Sequence, residues 1–327
     1  MADFLGELGK KLAERWIAML AVPGALYLAV AFGVAGTLGH AHALDGRRLV
    51  GQVEAWARSP LASGTAGQAV LLVALLLGAA AAGLVAQALG SALEVVALSV
   101  GWRDWWRPAR ALAGHLMNRR LRRWNAACAR YRAGSERGSE DAYRAWSDIA
   151  VERPDRPFWT GDRLNATAIR LQRETGVYLP VVWPALWPSL PASASAELTA
   201  ARADFSRAAA LGGWAALYAM LAVWWWPAAP LAVGIALTAR HRLRTAAATN
   251  AVLQETMVRR YAAELARDLG LTVTGPLSKA LGTRLSAELS TSTTAVVATA
   301  DPVPVSRVAG SVLDPASSPE PHALEGS

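Results

Sequence analysis

Near the end of a long uncharged stretch stand Gln87, Ser91 and Glu94, spaced by four and three, so a helix would carry them on one face. A polar stripe on an apolar helix has two uses. It lines a path for ions or small polar solutes in an oligomer, or it meets a neighbouring helix with Glu94 at the inner membrane interface. The helix contact is the commoner use. The second group is basic. Arg119, Arg120, Arg122, Arg123 and Arg130 surround an apolar stripe of Met117, Leu121, Trp124, Cys128 and Tyr131. A basic amphipathic helix beside a membrane binds anionic headgroups, at about 1 kcal/mol per basic residue near the surface. Nucleic acid attracts the same charge, but the position directly after an apolar run favours lipid. The same stripe also suits packing on residues 136–176, as a small helical domain for a protein partner.

Catalytic groups do not assemble. The histidines at 40, 42, 115, 241 and 322 are scattered, and the pair His40 and His42 has no third ligand. A single cysteine, Cys128, excludes an intramolecular disulfide and a multi-cysteine metal site. There is no Walker loop, no Gly-x-Gly-x-x-Gly and no His-Glu-x-x-His. No cofactor or metal is expected, and the chain is not expected to be an enzyme.

The elements that would position these groups are membrane helices. The chain has 327 residues and is 53% hydrophobic, above the usual apolar share of a soluble protein. Only Lys10, Lys11 and Lys279 are lysine, so 30 of the 33 basic residues are arginine, a bias typical of a GC-rich bacterial genome. Ala208 to Trp226 is a run of nineteen uncharged residues, and as a helix it reaches about 28 Å, close to the hydrocarbon thickness. Trp224, Trp225 and Trp226 at its end fit the headgroup belt, as do Trp102, Trp105 and Trp106 after the preceding span and Trp16 before the first. The motif Pro227-Ala-Ala-Pro230 turns the chain into a short fourth span, 228–239, that stops at Arg240.

The expected fold is all-α, a polytopic membrane protein of about four spans with a central cytoplasmic helical region. An amphipathic helix over 1–16 leads into a first span, 17–38, in which Pro23 kinks or restarts the helix. An outer loop, 39–65, carries a small amphipathic helix with Leu49, Val53 and Trp56 aligned. Ala41-His42-Ala43 resembles a signal-peptidase site, but acidic residues in the leader and spans downstream argue against cleavage. The second span covers 66–94, and its Gly78, Ala82, Ala86 and Gly90 form a ridge of small side chains suited to another helix, in this chain or in a second copy of a homo-oligomer. The region 95–207 is Arg-rich, the third span is 208–226, helices occupy 240–289, and 290–327 has the composition of a disordered tail. Within the central region, 181–191 reads as irregular interfacial backbone under the bundle, followed by a helix capped by Ser193 or Ser195.

Residues 157–191 resemble a segment of uncharacterised bacterial polytopic membrane proteins, in which a Gly-Asn turn precedes a short helix with a Glu and a Trp-Pro-x-Leu segment follows. The matching residues are Thr160, Gly161, Asn165, Glu174, Trp183, Pro184 and Leu186, with Val177-Tyr178 replacing the expected Tyr-Gly order. The resemblance implies no activity.

Arginine sets the orientation. Residues 39–64 hold three, 102–207 eighteen and 240–270 six, so both termini are expected in the cytoplasm of a cell whose inner membrane holds the protein. The expected function is that of a membrane anchor or scaffold presenting an Arg-rich platform to anionic lipid and a cytosolic protein partner. The alternative is an oligomeric channel or small transporter lined by the polar stripe. Against transport, the apolar spans hold almost no ionisable residues and show no inverted repeat.

Overall fold

A computed structural model describes residues 7, 22–35, 38, 42–43, 45–58, 64–133, 141, 144 and 146–299. Among them every regular element is helical, with no strand, so the chain is all-α. In order these are α1 (Val22–Leu28, continuing as π-helix over Ala29–Ala35), α2 (Gly46–Ala57), α3 (Thr65–Leu98) and a 3₁₀ turn (Trp102–Asp104). Next come α4 (Arg107–Ala133), α5 (Trp159–Thr175), α6 (Leu179–Ser189), α7 (Ala192–Leu221), α8 (Ala228–Asp268) and α9 (Lys279–Thr299). The expected helix over 1–16, with Trp16, lies outside the described residues apart from Glu7.

One described helix, α3, is long and apolar enough to cross a membrane, and Val22–Phe32 is apolar but shorter. At 34 residues α3 reaches about 51 Å, well beyond hydrocarbon thickness. It runs past the expected end at Glu94 to Leu98 and stops at Ser99, which takes a left-handed backbone with φ 50°. The Ser99 hydroxyl donates to the Val96 carbonyl at 2.8 Å, which offsets part of the strain of a non-glycine residue there.

The small-residue ridge of α3 is real but turned. Its buried residues are Ala79, Gly83, Ala86 and Gly90, whereas Gly78 and Ala82 are half-buried. Strict steps of four advance about 40° each around a helix, so the expected ridge drifts off a straight contact. Steps of four, three and four return to one face. The upper part receives α1, where a Cβ at Gly24 would overlap the Ala79 carbonyl. The lower part receives α7, where a Cβ at Gly213 would overlap the Ala86 carbonyl and one at Gly90 would stand 2.7 Å from the Ala210 Cα. The ridge is thus occupied within the chain.

Helices α7 and α8 are continuous from the apolar to the polar half, so no helix boundary falls at 207/208 or at 239/240. Alanines line their seam, among them Ala208, Ala246, Ala247 and Ala251, and Asn250 donates across it to the Ala201 carbonyl at 3.0 Å. The helix ends at Leu221 rather than at Trp226. Pro227 disfavours helical backbone at the residue before it, and Ala222–Trp226 close as turns. The Trp225 indole donates to the Ala43 carbonyl of the loop before α2 at 2.9 Å, while Trp224 and Trp226 are exposed. No serine side chain caps α7, whose N-cap is Pro191.

In the polar half, α5, α6 and α9 pack on the lower ends of α7 and α8 around Leu171, Val182, Leu186, Leu198, Val258 and Leu285. The segment expected to be irregular is the helix α6. Its prolines at 180, 184 and 188 repeat every four residues on an exposed face, where the carbonyls they leave unpaired are open, while Val182, Leu186 and Leu190 are buried on the other. The Gly176 backbone, at φ 71°, lies against α9, and Gly282 of α9 lies against the Thr175 carbonyl, so neither position has room for a Cβ. Helix α9 runs on through Thr299, so 290–299 is helical rather than disordered, and 300–327 lies outside the described residues.

Because Ala86 is fully buried and Ala82 is not, the two positions should respond differently to enlargement. Ala86→Leu is expected to lower stability in detergent by about 1–3 kcal/mol, through forced separation of α3 and α7, and Ala82→Leu by well under half of that. Thermal unfolding of the purified variants checks this, and equal responses would contradict the register.

Candidate functional site

The last turn of an α-helix leaves carbonyls without partners. At the end of α3 they are met by the first turn of α5 and the loop that precedes it. The Thr160 hydroxyl donates to the Ala97 carbonyl at 2.7 Å and the Arg156 guanidinium to the Leu98 carbonyl at 2.8 Å. A cation at that end also opposes the negative pole of the helix. Gly161 allows the approach, since a Cβ there would overlap the Leu98 carbonyl oxygen. Asn165 accepts from Arg156 at 3.3 Å. Three residues of the resembling segment, Thr160, Gly161 and Asn165, therefore build this junction. Of the rest, Glu174 pairs with Arg259 at 2.5 Å, and Leu186 is core.

Asp162 sits at the centre of the junction, 6% exposed. Its Oδ1 accepts the backbone N–H groups of Asp155 and Arg156 at 3.0 and 2.8 Å, and Arg120 Nη1 lies 2.7 Å from its Oδ2. Arg120 also donates to the carbonyls of Arg156 and Ile149 at 2.7 and 2.9 Å. Burial pushes the Asp162 carboxyl above its ordinary value, against the pull of Arg120 and of the two backbone donors. Burial likewise lowers Arg156, opposed by Asp162 and Asp155.

This placement corrects the role expected for Arg120. Its side chain is 16% exposed and committed to Asp162, so it is not an anionic-lipid anchor, whereas Arg119, Arg122, Arg123 and Arg130 are exposed. The apolar stripe of α4 meets protein. The Trp124 indole donates to the Ala150 carbonyl at 3.0 Å, and the rings of Trp124 and Tyr131 lie 6.1 and 6.3 Å from Trp146. Among the tryptophans expected at a membrane interface, Trp102 donates to the Asp155 carbonyl at 3.1 Å, Trp105 is half-buried and Trp106 is 75% exposed.

Two grooves open on different faces of α7. One, of about 730 Å³, is lined by Gln87, Ser91 and Glu94, so the polar stripe does share a cleft. Glu94 is not free in it: Arg202 Nη2 lies 2.5 Å away and the Ser206 hydroxyl donates at 3.1 Å. The other, of about 890 Å³, lies among α3, α7 and α8, with Arg123, Arg240 and Arg244 at one end. Local sequence pattern could not find this cluster, because its members come from α4 and α8, more than a hundred residues apart. Among the described residues no group of three or more His, Cys, Asp or Glu could hold a metal ion.

Removing Asp162 should leave the largely enclosed Arg120 guanidinium without its carboxylate and two backbone N–H groups without an acceptor. Asp162→Ala is expected to destabilise the protein by about 3 kcal/mol, and Asp162→Asn by clearly less, because its side-chain oxygen still accepts the two backbone N–H groups. Unfolding followed by tryptophan fluorescence checks the order, and an alanine variant as stable as wild type would contradict it. No known protein family, curated protein or solved structure matches this chain.

Proposed function

We propose that this chain is a multi-pass membrane protein that anchors a packed, Arg-rich helical body to the cytoplasmic face of the inner membrane, where it meets anionic headgroups and a cytosolic protein partner. One observation carries the reading, a reversal of exposure between the two halves. In the apolar half the large side chains Leu72, Leu76, Leu77, Leu84 and Leu237 are exposed, and alanine and glycine make the closest contacts of α3 with α1 and α7, with Tyr218 and Leu221 as a small buried cluster beside them. In the polar half Leu171, Val182, Leu186 and Leu285 are wholly buried. Lipid is the solvent that makes the first arrangement stable, since exposed leucine costs nothing against hydrocarbon.

On this reading four stretches cross the bilayer: α1 with its π-helical continuation, α3, and the apolar parts of α7 and α8. The short fourth stretch, 228–239, needs no helix end at the membrane surface, because α8 simply continues into the polar half. The basic surface of Arg119, Arg122 and Arg130 is the platform. The channel reading has one observation in its favour, the groove holding Gln87, Ser91 and Glu94. It has two against it, the closure of Glu94 by Arg202 and the position of the second groove on another face of α7.

Orientation gives the test. In a Cys128→Ser background, single cysteines at Arg47 and at Arg260 are exposed to a membrane-impermeant maleimide. In intact cells Arg47→Cys should label and Arg260→Cys only after lysis. Labelling of both before lysis, or release of the protein from membranes by alkaline carbonate, would overturn the reading.

A further inference from the structure

We propose that the groove among α3, α7 and α8 holds one anionic phospholipid, its phosphate at Arg240 and Arg244 and its acyl chains along the small-residue wall. The inference rests on the membrane reading above and deepens it. Along α8, Ala232, Ala236, Arg240 and Arg244 all line the groove, so its α8 side changes from methyl groups to guanidinium groups between Ala236 and Arg240, about one turn. Opposite it, Gly212, Ala216 and Ala219 of α7 form a wall with no hydrogen-bonding side chain. The volume, about 890 Å³, is at the upper end of small-molecule sites. Such a cleft, oily toward the apolar half and cationic at the junction, has the polarity of a phospholipid with its phosphate at the interface.

The cationic end is built and carries more arginines than carboxylates. The Arg244 guanidinium lies 4.5 Å over the Trp159 ring and donates to the Asp148 carbonyl at 3.3 Å, which fixes its position without neutralising it. No ion pair to Arg123, Arg240 or Arg244 is found among the described residues. Arg120, also at this end, is spent on Asp162. Asp148 is the one carboxylate lining the groove, against four arginines. Burial holds Arg244 below its ordinary value, and the neighbouring Arg240 and Arg120 push the same way, opposed by Asp148. A bound phosphodiester would balance this excess of positive charge, with planar guanidinium groups suited to two oxygens at once.

The test uses the full chain, purified in non-ionic detergent, stripped of lipid and titrated with phosphatidylglycerol, phosphatidylcholine or inorganic phosphate under native mass spectrometry. One phosphatidylglycerol should be retained, at least tenfold more tightly than phosphatidylcholine, and inorganic phosphate at millimolar concentration should not displace it. The double variant Arg240→Gln/Arg244→Gln should lose about tenfold or more in affinity. Ala216→Phe, which fills the wall and leaves every charge in place, should lose a similar amount. Retention of both lipids alike, or indifference to both variants, would overturn the proposal in favour of lipid coating the surface at large. Displacement by phosphate would overturn it in favour of a simple anion site. Should the double glutamine variant fail to fold, Ala216→Phe and the lipid comparison decide alone. Carbonate release of wild-type protein tests the membrane reading separately, because it does not depend on which lipid is bound.

Discussion

Where α3 crosses α7, the Gly213 backbone lies against the Ala86 carbonyl, and where it meets α1, Gly24 lies against Ala79. These contacts are made backbone to backbone, with methyl groups as the largest spacers. In water, such a seam would release little free energy, because small side chains bury little apolar area. In hydrocarbon the comparison is different. Lipid tails solvate leucine as well as protein does, so only close van der Waals contact distinguishes a bound helix from a free one. Leu72, Leu76, Leu77 and Leu84 of α3 are exposed away from the seam. Everything else in the apolar half, including the two grooves beside α7, follows from helices held this near.

Close packing fixes how helices lie side by side, but not where α3 ends. That is set at the junction, where Thr160 and Arg156 meet its last carbonyls and Arg120 holds Asp162 in place beneath them. The junction ties three separate elements, α3, α4 and the start of α5, while α7 and α8 pass alongside without interruption. A buried ion pair is a poor source of stability in itself, since desolvation consumes much of the Coulomb attraction. Its value here is positional. The carboxylate gathers two backbone N–H groups and a guanidinium to one point, and so fixes the loop and the first turn of α5 that carry the capping residues.

The sequence made the helices legible and left their relations obscure. The uncharged run of α3 and the small residues along it are plain from composition, yet the expected ridge runs in steps of four and the buried one in steps of four and three. Arg240 marks a change of charge, not of structure: α8 runs through Ala-Arg-His-Arg-Leu-Arg without a break. Segment 181–191 was read as irregular because proline ends most helices, whereas three prolines spaced by four share one exposed face of α6. Periodicity alone does not tell Arg120 from Arg119 or Arg122, because its partners lie 29 to 42 residues away, before α5 and in its first turn. The cluster of Arg123, Arg240 and Arg244 is more remote still in the chain. Local pattern reports faces, and it is silent about which distant element a face will meet.

The account stands or falls on the solvent around the apolar half. Nitroxide labels at Leu76, Leu237 and Val252, each on an exposed position, distinguish the possibilities when introduced singly into a Cys128→Ser protein reconstituted in liposomes. Collision with oxygen, which concentrates in hydrocarbon, is compared with collision with a water-soluble nickel chelate. The account predicts that oxygen dominates at Leu76 and Leu237 and the chelate at Val252, which lies in the polar half of α8. Chelate access at Leu76 and Leu237 equal to that at Val252 would contradict it.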